Sequence, residues 1–193
     1  VMAVHSPNVA LVTNAQVKTD KKAALVLAQL HAAGLLTGVW IPPYPVRDLR
    51  SLIARREKMV RLSTMAKNRL HSMLHRHHLV TPEKPFAFEQ RTWWERLLLS
   101  ANEQLLVRSD LDTLDFAHKQ VEQIEECLKQ ESAEDVRIPL LIQLPGVAML
   151  TAITILAAIG DITRFPTAKK LVGYAGLGTR VHDSGMTHSS GRI

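Results

Sequence analysis

Residues 138–160 carry no charged side chain. A run of that length is long enough to cross a bilayer as one helix. Pro145-Gly146 in its middle argues against that, because proline removes a backbone donor and crowds the preceding turn while glycine favours a break. Pro139 and Gln143 add further cost, and Arg164, Lys169 and Lys170 follow closely. The run therefore reads as two short buried helices joined by a tight turn at Leu144-Pro145-Gly146-Val147. Gly146 is free to adopt a positive φ there. The second helix then begins with backbone N–H groups that have no intrahelical partner, and such an end attracts phosphate. No membrane association is expected.

The rest of the chain adds charge of opposite sign in separate places. Between 46 and 78 there are nine lysines and arginines against two acidic residues. In the same stretch Leu49, Leu52-Ile53, Met59-Val60, Met65-Ala66, Leu70 and Met73-Leu74 recur at helical spacing and predict one long amphipathic helix over 47–78. Thr81-Pro82-Glu83-Lys84-Pro85 ends it. A second helical stretch, 93–131, carries four basic and nine acidic residues, with breaks expected near Ser100 or Ser109. Thr92 with Glu95 three residues on reads as its capping box. A basic and an acidic helix joined by a short turn predict an antiparallel hairpin or coiled coil with complementary charges, over 46–135. His71, His75 and His78 extend the basic face as titratable groups. With no Cys or carboxylate beside them they do not read as a metal site. The whole chain has 24 Lys and Arg against 18 Asp and Glu, so nucleic acid is the first partner class to consider. Arg55, Arg56, Lys58 and Arg61 are the candidate phosphate contacts on the long helix. One cysteine, Cys127, excludes an internal disulfide framework and suits a reducing, cytoplasmic setting.

An LPGV turn between short apolar helices resembles the helix-hairpin-helix, a DNA-backbone binder that ignores sequence. Around it four blocks follow in order: Pro145-Gly146-Val147 with Thr151-Ala152; Ile159-Gly160-Asp161-Ile162 with Arg164-Phe165; Lys169 with Leu171-Val172-Gly173-Tyr174-Ala175-Gly176-Leu177; and Ser184-Gly185. In that order and spacing they resemble the C-terminal domain of the DEDD transposases of insertion-sequence family one hundred and ten, whose N-terminal domain is RuvC-like. The resemblance implies DNA transposition or site-specific recombination, by strand cleavage and joining. It implies that Ser184 is the nucleophile that links to DNA. The helix-hairpin-helix likeness makes Pro145, Gly146 and Val147 candidate backbone contacts, and Lys169, Lys170 and Arg180 are the next candidate cations after the long helix. The family resemblance further implies Mg²⁺ as family cofactor, a structured guide RNA, and homo-oligomers formed through the helical middle.

The resemblance reaches the N-terminal stretch through Lys18-Thr19-Asp20, followed by Lys21-Lys22-Ala23-Ala24. In the family this block supplies the last two of four carboxylates of a metal site. Asp20 matches the first of these, and Ala23 stands where the second belongs. The remaining two would lie upstream of Val1, so the chain reads as a fragment or decayed copy, truncated at both ends, inactive by itself and binding no ordered metal at Asp20. On the residues alone, Thr19 or Asp20 caps a helix running to His31, which Gly34 ends. Val9–Val12 reads as a strand, and Val39-Trp40-Ile41-Pro42-Pro43 as an extended segment. The expected fold is mainly α: a partial RuvC-like α/β remnant over 1–45, the hairpin over 46–135, and a small helical domain over 136–193. The alternative function is a non-catalytic nucleic-acid-binding or assembly module.

Overall fold

The computed structural model describes residues 3–4, 19–36, 38–178, 181–184 and 187–190, the last two stretches by their backbone. The strand expected at Val9–Val12 lies outside the described residues. The chain forms two compact units, Val1–Arg47 and Asp48–Ile193, and the fold is mainly helical.

In the first unit, α1 spans Asp20–Ala32. Thr19 is the N-cap, its hydroxyl accepting from the Lys22 N–H at 3.3 Å. Asp20 opens the first turn, where the helix dipole favours a carboxylate. Gly34 ends the helix at φ +68°, and the Leu35 N–H closes back on the Leu30 carbonyl at 3.0 Å. The segment after it is held by the Val39 N–H on the Ala3 carbonyl at 2.7 Å, next to an antiparallel bridge between Val4 and Gly38.

Helix α2 spans Tyr44–Arg76 and is about 50 Å long at 1.5 Å per residue. It begins three residues before the expected Arg47, because Pro45 sits in the first turn, where its missing N–H costs nothing. It stops two residues before His78, which takes φ +50°. His71, His75 and His78 therefore do not share one helix face. His71 instead meets the edge of Phe86 at 4.9 Å.

After a short 3-10 turn at Phe88–Gln90 comes the one-turn α3, Arg91–Glu95, then α4, Ala101–Glu131. The capping box is not at Thr92, which lies inside α3. It is at Ser100: the Ser100 hydroxyl accepts from the Glu103 N–H at 3.3 Å, and the Glu103 carboxylate accepts from the Ser100 N–H at 3.2 Å. Both sites carry the same four-residue signature. Thr92 is displaced because Trp93 and Trp94 turn inward, and Trp94 is buried with its indole N–H on the Pro85 carbonyl at 2.7 Å. Ser109, the other expected break, lies within α4.

Helices α2 and α4 run antiparallel. Their cross-pairs march in opposite directions along the two arms: Arg56 with Glu125, Ser63 with His118, Arg69 with Asp110, and His77 with Glu103. Ala66, Leu114 and Ala117 are completely buried along the seam. Two apolar clusters flank it. At the connecting-segment end, Leu70, Met73 and Leu74 pack with Trp94, Val107 and Leu111. At the other end, Met59, Ile124 and Leu128 pack with Ile138, Ala152 and Ile153. The last three belong to α5 (Arg137–Ile142) and α6 (Met149–Ile159). The uncharged run is thus two helices seated on the open end of the hairpin. Among the described residues no helix is long and apolar enough to cross a membrane. A 3-10 turn at Ile162–Arg164, helix α7 (Ala168–Tyr174) and an antiparallel pair, β1 (Val181–Ser184) with β2 (Thr187–Ser190), follow.

Leu128 is wholly buried. Leu128→Ala is expected to destabilise the second unit by about 2–5 kcal/mol in chemical denaturation. Leu98→Ser, at a side chain that is almost fully exposed, is expected to stay within about 0.5 kcal/mol of the parent.

Glu103 supplies a pH test. Hydrogen bonds from the His77 ring first, and then from the Ser100 hydroxyl and N–H, lower its carboxyl from the ordinary 4.5 to about 2. A folded-state value below the unfolded one means a stabilisation present above about pH 4.5 and lost as pH falls towards 2. Acid unfolding of Glu103→Gln is expected to be less steep in that window. An unchanged profile would show that the pair carries no linkage.

Candidate nucleic-acid interface

The candidate residues that the structure describes fall in five places, the last of them Ser184 on β1. Asp20 is the exposed first residue of α1, with Ala23 one turn on. Among the described residues no three His, Cys, Asp or Glu side chains gather closely enough to hold a metal ion. A two-metal site needs several hard carboxylate ligands, and Asp20 is the residue here that the resemblance places in one.

The four cations of α2 divide. Arg56 turns inward, its Nε and Nη2 donating to Glu125 Oε1 at 2.7 and 2.6 Å with both side chains about two-thirds covered. Arg55 and Lys58 are exposed and enter no ion pair among the described residues. Arg61 stands well out in solvent and only brushes Glu57 at 3.8 Å. Such a loose exposed contact holds little.

The third place is the turn between α5 and α6. Pro145 and Gly146 occupy its two central positions, and Gly146 has φ +82°. The Val147 N–H closes on the Leu144 carbonyl at 3.1 Å. Proline first and a positive-φ glycine second is the residue order of a type II turn. Val147 packs against the core, while Pro145 and Gly146 face solvent. Helix α6 starts at Met149, two residues after Val147. Its N-cap Ala148 has no side chain to receive the first N–H groups.

The fourth place is α7. Thr167 caps it by accepting from the Lys170 N–H at 3.4 Å. Lys169 and Lys170 are exposed in its first turn, and no acidic residue accompanies them. Cations at a helix N-terminus are unfavourable for the helix itself, and the combination attracts anions. Arg180 lies outside the described residues. Ser184 is the last residue of β1, its backbone paired opposite Thr187.

The structure adds a group that sequence reasoning missed. The last carbonyls of α6 receive donors from three segments. Arg50 of α2 donates from Nε to the Ala157 carbonyl at 2.7 Å and from Nη2 to Ala158 at 2.8 Å. The Tyr174 hydroxyl of α7 donates to Ala158 at 3.2 Å, and Arg164 Nε to Ile159 at 3.1 Å. The Arg164 guanidinium also lies over the rings of Phe165 and Tyr174, at 4.1 and 4.3 Å. Two cations at the negative end of a helix complement its dipole. Gly160 ends α6 at φ +65°, and Asp161 then accepts from the Thr163 N–H and hydroxyl at 2.9 and 2.7 Å. These hydrogen bonds hold the Asp161 carboxyl below its ordinary range. The Ile159–Phe165 block is therefore the built exit of α6. Its signal in sequence was the stop glycine followed by a capping Asp.

Two family models match the chain. One, described as the transposase IS116/IS110/IS902 family, covers residues 138–193. The other, a transposase model of the DEDD type of IS110, covers residues 1–79. The chain belongs to the IS110-type transposase family. Curated relatives agree with this. The chain is 29% identical over 179 residues to the "Putative transposase y4qE" of Sinorhizobium fredii, a match covering 89% of this chain and 42% of the relative. It is 28% identical over 172 residues to the pilin gene-inverting protein of Moraxella bovis, covering 88% and 45%. An IS110 uncharacterized 43.6 kDa protein of Streptomyces coelicolor is 35% identical over 83 residues, covering 43% and 20%. The chain thus spans less than half the length of these relatives. Within the IS110-type chain the two matches fall on either side of α3 and α4, so the acidic arm lies between them.

The turn gives a test that needs no ligand. A Cβ at Gly146 would meet nothing within 4 Å, so only its positive φ resists substitution. Gly146→Ala is expected to cost about 1 kcal/mol from the left-handed backbone alone. Gly173→Ala, helical and equally unobstructed, is expected to gain up to about 1 kcal/mol. Melting temperatures that moved in the same direction for both would contradict this reading.

Proposed function

We propose that this chain acts in DNA transposition or site-specific recombination, binding DNA through exposed cations and contributing Ser184 as the residue that becomes joined to a strand. The observation that carries the DNA-binding part is the set of exposed cations without firm acidic partners: Arg55, Lys58 and Arg61 on α2, and Lys169 and Lys170 at the start of α7. Membership of the transposase family supports the reaction class, as does the inversion function named for the Moraxella relative. The open Pro145-Gly146-Val147 turn and the uncapped start of α6 add a backbone contact of the helix-hairpin-helix kind. Arg180 joins this group as a cation close to Ser184 in sequence.

In the joining step the serine oxygen attacks phosphorus and a sugar oxygen leaves with the broken P–O bond. The serine proton passes to a base, and nearby cations stabilise the charge that develops on phosphate. Arg180 and His182 are the neighbours of Ser184 in sequence suited to parts of this. Asp20 is the residue here that matches the family's carboxylate site. A structured guide RNA rests on the family resemblance, and a cytoplasmic location on the single cysteine, Cys127. Assembly through the helical middle has added support from large apolar side chains left exposed on the hairpin, Met65, Leu105, Leu106 and Phe116.

Two measurements test the reading. Replacing Arg55, Lys58 and Arg61 together with Gln is expected to weaken duplex binding and to flatten the dependence of log K on log salt by about 0.9 per lost phosphate contact. An unchanged slope would move the contact to Lys169 and Lys170. For the joining step, the longer y4qE relative is incubated with nicked DNA and Mg²⁺ and denatured. A covalent adduct is expected that disappears when the serine aligned with Ser184 is changed to alanine, while binding persists. An adduct that survives removes Ser184 from its role. Binding without any adduct favours a non-catalytic module.

A further inference from the structure

Nine acidic and four basic residues make the 93–131 stretch strongly negative, and nine basic against two acidic make the 46–78 stretch strongly positive. The hairpin lays these surfaces side by side, and the contacts between them have one polarity. Arg56 of α2 gives two donors to Glu125 of α4, and Arg69 of α2 gives Nε to Asp110 of α4 at 2.8 Å. Neither arginine is sealed in the core. The Arg56 side chain retains 26% of its exposure and Arg69 49%. Both lie on the helix that carries Arg55, Lys58 and Arg61. A phosphate chain following α2 would offer them the same kind of oxygen that Glu125 and Asp110 already supply, since carboxylate and phosphate each present a guanidinium with two anionic acceptor oxygens.

We infer that the acidic arm α4 is an internal competitor for nucleic acid: Glu125 and Asp110 occupy Arg56 and Arg69 as phosphates would, and so confine the nucleic-acid face of α2 to its outer edge. The inference rests on the DNA-binding reading above and specifies its surface and strength. Two residues on the acidic arm set the affinity, and they do so without touching nucleic acid. The exchange is electrostatic and involves no bond making. A freed arginine adds one phosphate contact and releases the counterion condensed there. Parent affinity is thereby held low and salt-sensitive, and rises when a carboxylate is removed or drawn away by another cation.

Simple loss of negative charge would also favour DNA, so the experiment separates the two effects. The full chain, Glu125→Ala and the control Glu122→Ala are titrated with a short mixed-sequence duplex across a series of salt concentrations. Glu122 is exposed on the same arm and enters no ion pair among the described residues. Thermal melting verifies that each variant folds. Glu125→Ala is expected to bind several-fold tighter, with a salt slope steeper by about 0.9. Glu122→Ala is expected to give a smaller gain at an unchanged slope. Adding Arg56→Gln to Glu125→Ala is expected to abolish the extra gain and the extra slope. If Glu125→Ala does not fold, Asp110→Asn with and without Arg69→Gln makes the same comparison at the second pair. Equal gains for Glu125→Ala and Glu122→Ala, or a gain that survives Arg56→Gln, overturn the inference and leave the binding reading standing. Absence of binding by the parent and by every variant, even at low salt, overturns both.

Discussion

The seam between α2 and α4 is the contact on which the second unit depends. Ala66 and Ala117 are completely buried there, and their small size lets two long helices approach without a gap. Leu114, equally buried, fills the space beside them. Apolar burial of this kind supplies the driving force, at about 25 cal/mol for each Å² removed from water. The ion pairs along the edges add little stability by themselves, being partly solvated. They act on register: sliding one helix by a turn would set Arg56 and Arg69 against the wrong partners. Ser63 and His118 extend the same logic into the interior, where a buried hydroxyl needs a partner and finds the imidazole at 3.1 Å.

The remaining elements are placed from this seam outward. At one end the connecting segment folds over the hairpin through Phe86, Trp93 and Trp94, whose rings stack and meet edge to face. At the other end α5 and α6 bury Ile138, Ala152 and Ile153 against Met59, Ile124 and Leu128. Arg50 then reaches from α2 to the last carbonyls of α6, where Arg164 and Tyr174 also converge. Those carbonyls have no intrahelical donors, and a buried helix end left in that state is costly. Four hydrogen bonds from three segments satisfy them, and so fix the exit of the chain towards α7, with Lys169 and Lys170 exposed in its first turn.

Cations on this chain therefore have two fates. Arg50 and Arg164 cap a helix, and Arg56, Arg69 and Arg91 face carboxylates of α4. Arg55, Lys58, Lys169 and Lys170 are among those set in solvent, as is the loosely held Arg61. A net charge counted along the sequence overstates the surface that an anionic partner meets, because Arg56 and Arg69 face carboxylates of the acidic arm and Arg50 caps α6.

Local physics was readable from the residues. Periodicity gave α1, both hairpin arms and their antiparallel order, since each depends on spacing within one helix. Pro145-Gly146 gave the turn and the positive φ of Gly146, because only short-range sterics decide that. The transposase blocks were also visible in order, although Val9–Val12 and Arg180 fall outside the described residues and Ser184 is described by its backbone alone. What could not be read was every choice between equivalent local options. Thr92 and Ser100 carry the same capping signature, and the burial of Trp94 chose Ser100. Arg55 and Arg56 are adjacent and alike, and the register of α4 turned one to Glu125 and left the other in water. Arg50 is one of nine basic residues in 46–78, and only the end of α6 beside it makes it a cap. Sequence by itself determined the elements, whose causes lie within a few residues. Tertiary structure decided which side chains are spent on holding the fold and which stay available, because that depends on groups brought together from distant parts of the chain.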